Sequence, residues 1–133
     1  VAGELVQERL EKGEQSGYHF LFARSGDRLA GYGAYGPIPC TVSSYDLYWI
    51  AVSPDFQNQG LGRFLITCIE EKVQQKGGTR IYAETSSRPQ YAATRAFYLR
   101  CGYRIESVMT DFYAPGDGRI TFCKEIRKVI FQG

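Results

Sequence analysis

The chain predicts an α/β fold, an α+β sandwich in which a mixed, mostly antiparallel sheet holds one parallel strand pair and is flanked by helices. Three observations carry that expectation. Residues 18–24 (YHFLFAR) and 29–35 (LAGYGAY) flank Ser25, Gly26 and Asp27, the pattern of an antiparallel hairpin. An apolar run at 46–52, an amphipathic stretch, and a second strand-like run at 79–85 spell strand, helix, strand, and a crossover of that kind makes its two strands parallel. Two more strand-like segments, 103–109 and 120–126, are separated by the turn residues Ala114, Pro115, Gly116, Asp117 and Gly118.

Taken in order, residues 4–12 place Leu5, Val6 and Leu10 among charges, which suits a short amphipathic helix stopped by Gly13. Within the hairpin, Gly31, Gly33 and Gly36 spell G-x-G-x-x-G. Pro37 and Pro39 follow at once, so no helix can begin there to receive a pyrophosphate, and the glycines mark a bulge or a strand crowded by a neighbour. A surface loop is expected over 36–44. In the run at 46–52, Leu47, Trp49 and Ala51 would point one way and Tyr48, Ile50 and Val52 the other, which predicts a central strand covered on both faces. Leu61, Phe64, Leu65, Cys68 and Ile69 then form one stripe of a helix that runs to about Lys76 and stops at Gly77 and Gly78. A second helix is read at 91–101, ending at Gly102.

At 133 residues the chain is long enough for one domain with its own core, and one domain over 1–133 is expected. A net charge of +2 with scattered Lys and Arg gives no basic patch, so no nucleic-acid partner is expected. No apolar run approaches the ~20 residues that span a bilayer, so no membrane partner is expected, and the first residues lack the apolar core of a signal peptide. Cys40, Cys68, Cys101 and Cys123 have neither metal-site spacing nor disulfide density, and His19 is the single histidine. No metal is expected, His19 reads as structural, Cys68 as a small buried hydrophobe, and the compartment as a reducing cytoplasm. Scattered charge and an unassigned last strand are compatible with a homodimer. Residues 129–133 (VIFQG) are similar to the remnant of an engineered protease site and are set aside.

The most informative stretch is 48–63, YWIAVSPDFQNQGLGR. A strand ends in Ser53 and Pro54, a polar loop follows, and Gly60 and Gly62 open a helix. The unpaired amides of a helix start, with the positive end of its dipole, favour an anion such as a phosphate, and glycine lets that anion approach.

Several features together resemble the GNAT superfamily of acyl-CoA dependent N-acyltransferases. They are Val52 and Pro54 at a strand end, Gln57-x-x-Gly60-x-Gly62, a strand ending in Glu84 and Thr85, and Ala96-Phe97-Tyr98 followed by Cys101-Gly102-Tyr103. The resemblance covers about residues 18–128. It implies N-acetyl transfer from acetyl-CoA to a primary amine of a small molecule or protein, or a silent CoA-binding module that has kept the groove. It further implies that the pantetheine arm lies along Ile50, Ala51 and Val52, and that the pyrophosphate sits at Gln57, Asn58, Gln59, Gly60, Leu61, Gly62 and Arg63. Members of the family begin with a further strand and a fuller first helix, so the substrate-side wall is expected to be short or absent here.

Thioester aminolysis needs a base for the ammonium and an acid for the departing thiolate. Tyr98 matches the family tyrosine that faces the sulfur and is the candidate acid. Glu84, at a strand position where ribosomal-protein acetyltransferases of the superfamily carry a glutamate, is the candidate base; its bland reading is a surface carboxylate paired with Arg80 or Arg88. Asp46 is the alternative, at about the point where the histone-acetyltransferase branch places its own. Tyr35, Asp111 and Tyr113 are expected to border the acceptor, although 111–117 (DFYAPGD) also has the chemistry of a simple hairpin turn.

Overall fold

The structure is a computed structural model that describes residues 17–126 and the backbone of 4–8. Its strands are β1 (Glu4–Glu8), β2 (His19–Ser25), β3 (Arg28–Pro37), β4 (Ser44–Val52), β5 (Arg80–Ser86), β6 (Arg104–Ala114) and β7 (Asp117–Glu125). Two helices, α1 (Leu61–Gln75) and α2 (Ala92–Arg100), interrupt them. All strands join one sheet in the order β1-β2-β3-β4-β5-β7-β6. Among the described residues only β4 and β5 run parallel, as the crossover requires.

The start of the chain departs from expectation. Residues 4–8 form a strand antiparallel to β2, where an amphipathic helix was expected; the proposed stop at Gly13 lies outside the described residues. A short run of apolar residues among charges fits either period, and pairing with the open edge of β2 decides for the strand.

The core lies between the sheet and the helices. Leu61, Leu65, Ile69 and Val73 form an i, i+4 row on α1 and are buried with Ile66. Phe64, placed in the stripe by sequence spacing, is 42% exposed, because the row facing the sheet is rotated toward Ile66 and Val73. Cys68 is half-buried and its thiol is pushed up by burial, as befits an inert hydrophobe. Close approach of α1 explains a glycine in β3: a Cβ on Gly33 would come within 2.7 Å of Ile69 Cδ1 and 3.0 Å of Ile50 Cδ1. From α2 and the last strands, Tyr98, Tyr103 and Phe122 complete the same cluster.

Strand β4 is not covered on both faces. Tyr35 faces Leu47 whereas Ala34 faces Trp49, so Tyr48 is the extra residue of a β-bulge. The bulge shifts the alternation by one. Tyr45 and Leu47 before it, and Ile50 and Val52 after it, contribute to the core, while Trp49 stands 41% exposed. Trp49 belongs to an aromatic surface on the other face, where its ring lies 6.3 Å from Phe20, and Phe20 lies 6.2 Å from Phe22. Strict period-2 reading cannot foresee an inserted residue.

Candidate active site

The parallel ladder between β4 and β5 covers three positions, Ser44 with Arg80, Tyr45 with Ile81 and Asp46 with Tyr82. Beyond them the strands separate. The backbone of β4 from Leu47 onward therefore has no β5 partner and faces a cleft.

One cavity of about 510 Å³ opens from that cleft. Ile50 and Val52 form its strand wall, and Gln57, Asn58, Gly60, Leu61, Gly62 and Arg63 form its loop and helix wall. The first half of the loop is held to β3: Ser53 N–H donates to the Ala30 carbonyl at 2.8 Å, and Arg28 pairs with Asp55 while lying over the Phe56 ring. Gly60 caps α1 at φ +77, a left-handed conformation that glycine adopts without strain. Phe64 N–H donates to Gly60 O at 3.0 Å, so the amides of Leu61, Gly62 and Arg63 have no partner within the helix. Ala51 and Gln59, also expected at the cofactor, do not line this cavity.

A second cavity of about 520 Å³ lies on the other side of Tyr98. Glu84, the candidate base, and Tyr113, a candidate acceptor residue, both line it. Ile50, Thr94 and Tyr98 line both cavities and so form the partition where they meet. The segment carrying Thr94 and Tyr98 is fixed by Arg95, whose Nη1 donates to the carbonyls of Ser86 at 2.7 Å and Arg88 at 2.9 Å. At the far end of α2, Lys124 Nζ donates to the Cys101 carbonyl at 2.9 Å and to Glu70 at 3.1 Å, and Tyr103 donates to the same carboxylate at 3.0 Å.

Tyr98 is 4% exposed, with its ring 5.4 Å from Phe122 and 5.8 Å from Tyr103. Burial, and secondarily Cys101, pushes its phenol up to about 12, so it keeps its proton at neutral pH. Glu84 pairs with Arg119, not with Arg80 or Arg88. Asp46 is half-buried; burial, then the Glu84 carboxylate, raises its carboxyl above the ordinary range, with Arg119 opposing.

Two residues expected at the acceptor are elsewhere. Tyr35 is fully buried in the core, its ring 5.2 Å from His19, because plain alternation along β3 puts it on the same face as Gly33, the face that α1 covers. Asp111 Oδ1 accepts the Gly116 N–H at 2.8 Å and so braces the β6–β7 turn, the plainer of its two readings. Sequence reasoning missed Thr94 and Arg100 on α2, and Trp49 and Tyr91 at the second cavity. The i, i+4 spacing of Thr94 and Tyr98 was the available signal, since it puts both on one helix face. Among the described residues there is no cluster of side chains able to hold a metal, and no helix long and apolar enough to cross a membrane.

A parallel pair that separates beside a helix start, with a buried tyrosine between two cavities, gives the fold room for two ligands, one along β4 and one beyond Tyr98. The sequence profile of the Acetyltransferase (GNAT) family matches residues 3–103, and the chain belongs to that family. A crystal structure from Desulfovibrio desulfuricans, described as a GNAT-family acetyltransferase, is 35% identical; the match covers 95% of this chain and all of that one, with a TM-score of 0.90. The [ribosomal protein bS18]-alanine N-acetyltransferase of Escherichia coli K12 is 34% identical over 55% of this chain and 48% of its own length. This chain thus spans about half the length of the curated relatives it matches. A GNAT-family acetyltransferase from Elizabethkingia anophelis with acetyl-CoA bound shares the fold at a TM-score of 0.77 and 15% identity, covering 92% of this chain and 97% of that one.

Proposed function

We propose that this protein is an N-acetyltransferase that moves an acetyl group from acetyl-CoA to a primary amine by direct attack on the thioester. The observation that carries this reading is the partition itself: Ile50, Thr94 and Tyr98 separate a cavity bordered by β4 and the start of α1 from one lined by two carboxylates and several rings. Fit to the cofactor rests on three features. Unpaired backbone along β4 suits the amides of a pantetheine arm, the free amides of Leu61, Gly62 and Arg63 suit a pyrophosphate, and Arg63 and Arg100 add positive charge beside it.

Acetyl-CoA supplies the activated acyl group. The chain's residues supply orientation and proton transfer. A lysine-like ammonium must shed its proton at a cost of about 5 kcal/mol at pH 7. Glu84, at the second cavity, is the proposed proton acceptor, with Asp46 as the alternative; burial, then the Glu84 carboxylate, makes Asp46 more basic than an ordinary aspartate. Tyr98 holds its proton and donates a hydrogen bond toward the leaving sulfur.

The test combines calorimetric titration with CoA and continuous thiol release from acetyl-CoA over a panel of amines. Amine-dependent thiol release is expected. Tight CoA binding with only background release across the panel would make the protein a CoA-binding sensor instead. To separate the two bases, Glu84→Gln and Asp46→Asn are compared across pH; the true base is the one whose loss flattens the acid limb of kcat/KM.

Two finer readings accompany this one. The four cysteines are free thiols, which fits a reducing cytoplasmic setting. Edge strand β6 is exposed along its whole length, with Ile105, Val108 and Met109 at 50%, 56% and 47%, and a second copy of the chain is its proposed partner. Sedimentation that stays monomeric at all concentrations would remove that partner.

A further inference from the structure

Resting on the transferase reading, we infer that the acceptor is a primary amine carrying a single positive charge on an aromatic or otherwise flat apolar body, and not a polycation. Two features of the second cavity lead there. The first is its rings: Tyr48, Trp49, Tyr91 and Tyr113 line it around Tyr98. Trp49, Tyr91 and Tyr113 are 41%, 40% and 50% exposed, so considerable aromatic surface is left for a ligand to cover. Tyr48 and Trp49 are adjacent residues that both reach this cavity, and the bulge at Tyr48 is what breaks the alternation that would have sent them to opposite faces.

The second feature is charge. The cavity has two carboxylates, Glu84 and Asp117, and each is already matched from within the chain. Arg119 pairs with Glu84; Arg88 lies 3.5 Å from Asp117, which also accepts a hydrogen bond from the Ser86 hydroxyl. Arg88 itself lines the cavity. Asp46, outside the lining, is close enough to interact with both Glu84 and Arg119, so the neighbourhood sets Glu84, Asp117 and Asp46 against Arg88 and Arg119, and a molecule with several ammonium groups would face Arg88 with a single uncompensated carboxylate to receive them. One ammonium group can be received by ring faces and by the Glu84 carboxylate, and it becomes the attacking amine once it has lost its proton. An apolar ring attached to that amine gains by covering exposed aromatic surface.

A small arylalkylamine and the N-terminal residue of a peptide with an aromatic side chain share this chemistry. The experiment includes both. Wild-type protein with acetyl-CoA is assayed with ethylamine, 2-phenylethylamine, a tetrapeptide beginning with Phe, spermidine and kanamycin, and binding of each to the CoA-loaded protein is measured by calorimetry. We expect 2-phenylethylamine or the Phe peptide to exceed ethylamine in kcat/KM by about 10- to 100-fold, and spermidine and kanamycin to fall below both. Whichever of the two aromatic amines leads identifies the source. Trp49→Ala and Tyr113→Ala should erase most of the advantage over ethylamine while CoA affinity is unchanged. A best rate with spermidine or kanamycin, or no gain from the phenyl group in either rate or binding, would overturn the inference while leaving acetyl transfer intact. Binding of 2-phenylethylamine without turnover of any amine would instead uphold this ligand class and sink the transferase reading.

Discussion

The two cavities that meet at Tyr98 are of similar volume, about 510 and 520 Å³, but they are made of different material. The first, the proposed cofactor side, offers the unpaired edge of β4 and the first amides of α1. The second, the proposed acceptor side, is ringed by aromatic and charged residues from β4, β5, α2, β6 and β7 and the loop before α2. Main-chain groups present the same donors and acceptors whatever the side chain, so a main-chain site demands little beyond small residues at close approaches. A site made of side chains changes its ligand whenever one of them changes. One half of the active centre can thus be shared by a family while the other half sets the acceptor.

That contrast can be broken by mutation. Tyr98→Phe, on the partition, should have the largest effect: turnover falls by roughly ten- to a thousand-fold with CoA affinity little changed, measured by thiol release and calorimetry. An unchanged rate would return Tyr98 to a purely packing role. Next in size is Gly62→Val. A Cβ there would lie 3.3 Å from a Phe97 ring carbon, so the added methyls crowd the helix start; CoA affinity should drop by about 10- to 100-fold. Smaller still are Asn58→Ala and Arg63→Ala, each expected to weaken CoA by no more than about fivefold, because side chains there add to a site that amides already make. If either abolished binding, the main-chain account of the cofactor side would fail.

The smallest effect concerns stability and carries a sign. Burial, then the Glu84 carboxylate, raises the folded-state carboxyl of Asp46 above the ordinary aspartate value of 3.8, so its ionisation opposes folding, and the penalty builds as pH rises from that value to the folded one and stays constant above it. Asp46→Asn should therefore melt slightly higher than wild type near pH 7, with the difference vanishing as pH falls toward 3.8. A variant less stable at pH 7 would mean that Asp46 makes a favourable contact that its raised carboxyl does not reveal.

How much of this was legible in the chain follows the same division. The hairpin, the parallel crossover and the glycine loop were readable because each has a local signature: alternation, a period of 3.6, and glycine where backbone must be approached. Tyr98 and Glu84 were reached through motif order, and both line the second cavity. Failures came where tertiary pairing decides. Residues 4–8 pair with an open sheet edge and become a strand. The bulge at Tyr48 is one extra residue in β4 relative to its partner β3, which turns Trp49 outward. Tyr35 shares the face of Gly33 on β3, and only the docking of α1 on that face makes it core. Asp111 looked like an acceptor contact and is a turn brace, because its side-chain oxygen finds the Gly116 amide five residues on. Glu84 was given the wrong arginines, since Arg119 comes from β7, whose place beside β5 no local pattern announces.

The central claim is that the two cavities are halves of one active centre joined at Ile50, Thr94 and Tyr98. A bisubstrate analogue, CoA linked through an acetyl bridge to 2-phenylethylamine, tests this most directly when titrated against the wild-type protein beside CoA alone. One molecule per chain should bind roughly 10²- to 10⁴-fold more tightly than CoA and compete with both substrates, because one linker spans both sites. Affinity no better than that of CoA, or failure to compete with the amine, would mean that the cavities do not form a single centre.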